Sequence, residues 1–152
     1  MDYPQIRLDE LVFRTVEIIQ ALYPEAQIEV NLEGELLNEN SLLIHANEPL
    51  ILMAFNNLLK NAVQYSTDGK VTLIVNSTRS GKEIRFLNAG NSVPEEQKEK
   101  IFTPFFRASN ASIAKGHGLG LSLVKQIIQL HKAIITYAHK DGLNEFKIVF
   151  PW

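Results

Sequence analysis

The chain has 152 residues, enough for one domain with a real core, and its 45% apolar and 21% charged content is that of an ordinary globular protein. A net charge of -2 gives no footprint for a nucleic-acid partner, and the lack of cysteine excludes disulfides, thiolate nucleophiles and cysteine metal sites and fits a reducing compartment. No apolar run approaches the ~20 residues of a membrane span, residues 1–4 lack the basic and apolar regions of a signal peptide, and no repeat is present.

Residues 8–22 place Leu8, Leu11, Val12, Thr15, Ile18, Ile19 and Leu22 at helical spacing, with Asp9 and Glu10 in the first turn and Pro24 as the stop. Residues 28–32 alternate strictly, as a half-buried strand does, and 41–46 is a second short strand candidate. Asn47 reads as an N-cap with Pro49 near the first turn of a helix over 49–65. That helix is apolar around most of its circumference, which predicts burial, yet it carries Asn56, Asn57 and Asn61, whose amides need partners. Asn57 and Asn61 are four apart and project from one face.

Residues 66–70 form a turn by composition, and 71–76 and 83–87 alternate as two strands joined by a hairpin-like loop over 78–82. Pro94-Glu95-Glu96 opens a short helix to about Ile101, and the polar stretch 108–115 reads as a mobile loop. A helix then runs to about His131, and strands over 133–138 and 145–150 are joined across Asp141-Gly142, a strong hairpin signal. The order predicts a two-layer α/β sandwich: a mixed, mainly antiparallel sheet with helices on one face.

Before the last helix stand Gly116-His117-Gly118-Leu119-Gly120-Leu121. Glycines let a ligand approach the main chain closely, and a helix starting there aims unpaired N–H groups and the positive end of its dipole at it. The stretch therefore reads either as a phosphate-binding loop or as a glycine-rich turn before an ordinary core helix.

Four motifs stand in order: Asn57-Leu58-Leu59-Lys60-Asn61-Ala62, Asn88-Ala89-Gly90, Phe102-Thr103-Pro104-Phe105-Phe106-Arg107, and the glycine stretch. Together they closely resemble the N, G1, F and G2 boxes of the ATP-binding catalytic domain of two-component sensor histidine kinases. Those domains share a superfamily with Hsp90, type II topoisomerases and MutL. The resemblance covers nearly the whole chain and implies a Bergerat-type ATP-binding fold as one catalytic domain over 1–152.

The resemblance implies ATP and Mg²⁺ as ligands. It makes Asn61 a magnesium ligand, a hard amide oxygen suited to a cation that takes few protein ligands. Asn57 would face the metal or phosphates, and Tyr65 the adenine ring. Asn88 stands where the family usually has an adenine-binding Asp, and its amide oxygen can still accept. Gly90 lies where the backbone passes close to the base. Phe102, Phe105 and Phe106 root the ATP lid, with Arg107 in reach of a phosphate or carboxylate. Gly116, Gly118, Leu119, Gly120 and Leu121 close on the phosphates, assisted by Lys115.

Departures from the pattern are Gln64 at a position often basic, Ser92 for the second glycine of the adenine box, and Lys132-Ala133 for a usual Gly-Gly. Met53 stands where the superfamily's hydrolases place a catalytic Glu. No helical hairpin with a phosphoacceptor histidine precedes residue 8, so the expected partners are a separate histidine-containing dimerisation domain and the receiver domain of a response regulator. The isolated domain is expected to be a cytoplasmic monomer with no direct membrane contact, whether or not the parent kinase is membrane-anchored. The alternatives are a serine kinase of the anti-sigma type and a degenerate, non-catalytic nucleotide-sensing module.

Overall fold

A computed structural model describes residues 2–34, 42–103 and 120–151. The elements in order are β1 (Gln5–Arg7), α1 (Leu8–Leu22), β2 (Gln27–Glu33), β3 (Leu43–His45), α2 (Glu48–Tyr65), β4 (Lys70–Thr78), β5 (Gly81–Ala89), a 3-10 helix (Glu95–Lys100), α3 (Gly120–Leu130), β6 (Ile134–Lys140) and β7 (Leu143–Phe150). Five strands make one sheet in the order β2-β4-β5-β7-β6. Only β2 and β4 run parallel, so the sheet is mixed and mainly antiparallel, as expected.

Period-two alternation puts Val71, Leu73 and Val75, Ile84 and Phe86, and Phe146, Ile148 and Phe150 on one face, all buried. The helices cover that face, with α2 packed against both α1 and α3 and over β4 and β5. Phe55 of α2 meets Phe86 and Phe150 edge-on, at centroid distances of 5.8 and 6.4 Å. Burying side chains of this size stabilises the fold by roughly 1.5–3 kcal/mol each.

The helix ends follow their chemistry. The Leu50 N–H donates to Asn47 Oδ1 at 3.0 Å, and Pro49 lies in the first turn, as its missing N–H permits. At the end of α3 the Ala133 N–H donates to the Ile128 carbonyl and the Lys132 N–H to that of Gln129. Lys132 is left-handed, at φ 57°, which completes a Schellman motif. His131 is buried beside it. Its Nδ1 lies 2.7 Å from the Ile127 carbonyl, which can only accept, so Nδ1 carries the hydrogen. Nε2 therefore accepts the Asn47 N–H at 3.0 Å, tying the end of α3 to the start of α2. The Tyr3 ring stacks on this imidazole at 4.7 Å.

Several boundaries differ from expectation. The strand candidate over 41–46 is the three-residue β3, and it pairs with β1, which has no alternation to reveal it, outside the main sheet. The expected short helix is of 3-10 type. Both hairpin loops shrink to two-residue turns, because cross-strand pairing continues to Thr78–Gly81 and Lys140–Leu143. Asp141 and Gly142, at φ 54° and 78°, supply the two left-handed residues that such a turn needs.

Candidate functional site

The second half of α2 carries one wall of the site. Asn57, Asn61 and Tyr65 follow one another at four-residue intervals, all half-buried. Among the described residues, neither the Asn57 nor the Asn61 side chain makes a hydrogen bond. Asn57 lies at the start of α3: a Cβ added to Gly120 would be 3.7 Å from Asn57 Oδ1. An amide oxygen with no partner among the described residues thus stands beside a helix N-terminus, where main-chain N–H groups are unsatisfied and the dipole is positive. Gly120 is exposed, and Leu121 packs against the core. Arg107, Lys115, Gly116, Gly118 and Leu119 lie outside the described residues, as do Phe105, Phe106 and the stretch 108–115.

Two turns further along α2 comes the other end of the site, about 12 Å away at 1.5 Å per residue. Here the Thr67 N–H donates to the Ala89 carbonyl at 3.0 Å, closing the end of α2 onto the end of β5. A Cβ at Gly90 would lie 3.1 Å from the Tyr65 carbonyl oxygen. Asn88 is only 4% exposed. Its Nδ2 donates to the Ala89 carbonyl at 3.2 Å, while its Oδ1 accepts from no described residue. The amide oxygen is therefore the group left for a ligand.

Phe102 anchors the chain just before the undescribed stretch. Its ring meets Phe146 edge-on at 6.1 Å, and the Lys125 ammonium of α3 stands 5.3 Å above it. Gln64 turns toward the end of α1, where its Nε2 donates to Tyr23 Oη at 3.1 Å. Met53, one turn before Asn57, is exposed and has no atom that could take a proton from water. Ser92 donates to the Val93 carbonyl at 2.9 Å within its own loop.

Sequence reasoning missed Asn144, Tyr137 and His139. Asn144, 5% exposed, stands opposite Asn88 in the β5–β7 pairing. Its Nδ2 donates to the Asn91 carbonyl at 3.1 Å, and its Oδ1 accepts from Tyr137 Oη. His139 Nε2 donates to the Gly90 carbonyl at 2.9 Å. The one signal for these residues is the register between β5 and β7, which are not neighbours in sequence.

Asn57 at the foot of α3 and the buried Asn88 at the end of β5 thus frame the candidate site of a two-layer α/β domain. The family described as histidine kinase-, DNA gyrase B- and HSP90-like ATPase matches residues 46–152, and the chain belongs to it. The domain of this family binds ATP. The chain is 28% identical over 148 residues to the sensor protein VanSC of Enterococcus gallinarum, covering 96% of this chain and 39% of that protein. It is 31% identical over 154 residues to the sensor protein VanS of Enterococcus faecium, covering 93% and 37%. It is 36% identical over 110 residues to the sensor histidine kinase HprS of Escherichia coli strain K12, covering 71% and 24%. The chain thus spans well under half the length of these relatives. Among solved structures, the nucleotide-free catalytic domain of histidine kinase ThkA superposes with a TM-score of 0.82 at 25% identity, over 99% of this chain and 98% of that one. The mycobacterial sensor histidine kinase MprB has the same fold, with a TM-score of 0.86 at 22% identity over 97% of each chain. Among the described residues, no helix is long and apolar enough to cross a membrane.

Proposed function

We propose that this chain is the catalytic domain of a sensor histidine kinase, binding ATP with Mg²⁺ and passing the γ-phosphoryl group to a histidine of a separate dimerisation domain. A receiver domain of a response regulator would take the phosphoryl group next. The observation that carries the reading is Asn57, its amide oxygen without a described partner, at the foot of α3.

The donor set fits the ligand. Asn57 and Asn61 offer two neutral, hard oxygens one turn apart, and Mg²⁺ takes few protein ligands beside phosphate oxygens and water. When bound, Mg²⁺ would supply positive charge that offsets the charge of the phosphates. The start of α3 faces the same region with its N–H groups. At the far end Asn88 Oδ1 accepts from the adenine amino group, and Gly90 lets the main chain approach the ring. With Met53 one turn before Asn57, no described residue at that position can activate water, which favours phosphoryl transfer to a partner over hydrolysis. Transfer then rests on positioning and electrostatics, and the nucleophile is the partner's imidazole nitrogen.

Titration of the domain with ATP, with and without Mg²⁺, tests the site. Wild type is expected to bind more tightly with Mg²⁺, and Asn61→Ala to lose that gain while still binding ATP without metal. No binding at millimolar ATP would overturn the reading in favour of a non-catalytic module. Supplying a histidine-containing dimerisation domain should give an acid-labile phosphoryl product; an acid-stable one would point to a serine kinase.

A further inference from the structure

We propose that Tyr137 is a positioning residue that sets base selection, acting through Asn144 on the loop that follows Asn88; this rests on Asn88 as the base contact. The Val93 N–H donates to Tyr137 Oη at 3.1 Å. The hydroxyl therefore spends its own proton on Asn144 Oδ1. That fixes which way round the Asn144 amide lies, with its NH₂ on the Asn91 carbonyl. His139 and the Gly142 carbonyl hold the Gly90 carbonyl and N–H on the same side. The β6–β7 hairpin thus grips the main chain of Gly90, Asn91 and Val93, while the Tyr137 ring is seated against Phe146 at 5.1 Å.

The consequence lies at Asn88. A carboxylate could only accept, but an amide can accept with one end and donate with the other. Adenine presents an amino donor where guanine presents a carbonyl acceptor. The Ala89 carbonyl takes the Asn88 NH₂ and leaves Oδ1 for the base, which favours adenine. That orientation holds only while the peptide after Ala89 stays in place. Without the tyrosine hydroxyl, the Val93 N–H and Asn144 Oδ1 both lose their partner. Asn144 can then turn, the loop can shift, and Asn88 can present its NH₂ to a guanine.

The test is calorimetric titration of wild type and Tyr137→Phe with ATP and with GTP, each with Mg²⁺. Phenylalanine keeps the packing against Phe146. Wild type is expected to prefer ATP, and the variant's ATP-over-GTP ratio to fall about fivefold, the effect of one neutral hydrogen bond. General softening would weaken both nucleotides together and leave the ratio unmoved; an unmoved ratio overturns the proposal. Equal binding of the two nucleotides by wild type overturns it as well. Wild type binding neither would instead overturn the proposed function, and this inference with it. Hydrogen exchange at the Val93 amide checks the grip without nucleotide: it should be slow in wild type and faster in Tyr137→Phe, and equal rates would refute the clamp.

Discussion

Gly90 has room for a hydrogen and little more. A Cβ there would stand 3.1 Å from the Tyr65 carbonyl oxygen, 3.1 Å from Asn144 Nδ2 and 3.4 Å from Asn88 Nδ2. The carbonyl belongs to a helix end and the Asn144 amide is bonded at both ends, so neither yields easily. Gly90→Ala is expected to lower stability by about 1–2 kcal/mol in urea unfolding. It should also weaken ATP binding, because the added methyl presses on the amide of Asn88, the proposed base contact. At this scale, Asn57 and Asn61 were legible in the sequence because a spacing of four defines one helix face. Asn144 was not legible, because it meets Asn88 only through the pairing of β5 with β7.

Lys132 occupies the left-handed position that ends α3, where L residues with a Cβ are strained by roughly 1–2 kcal/mol and glycine is not. The departure from Gly-Gly thus has a physical content: the helix stop survives, with strain. Lys132→Gly is expected to raise stability by about 1 kcal/mol and the melting temperature by about 2–4 °C, measured by thermal unfolding. No change would mean that the lysine side chain offsets the strain. At the scale of elements, α1, α2 and the β6–β7 hairpin were legible from period, cap and Asp-Gly. β1 was not, since three residues carry no period and its partner β3 lies 36 residues further on, from Arg7 to Leu43.

Lys82 sits at an inward position of β5 and is buried. Burial disfavours its charged form and holds its ammonium below the ordinary lysine value of 10.5. The sign follows from proton counting: between the folded value and 10.5 the unfolded chain binds more protons, so stability rises with pH across that window. Below the folded value the desolvation penalty is fully present. Lys82→Met removes it, so the variant's stability relative to wild type should stand highest at neutral pH. It should fall as pH climbs toward 10.5 in urea titrations at several pH values. A constant difference across the window would show that Lys82 keeps its ordinary affinity for protons.

The sequence alone determined what is local and periodic. Helical faces, alternating strands, the Asn47 cap and the four ordered motifs follow from the spacing of side chains along one chain, and they carried the fold class and the family. Tertiary structure decided what depends on two distant segments meeting. It put Asn57 at the foot of α3, turned Gln64 away toward Tyr23, and set Tyr137, His139 and Asn144 against the loop after Asn88. Strand register and helix docking are fixed by packing over the whole core, and no window of sequence contains that information.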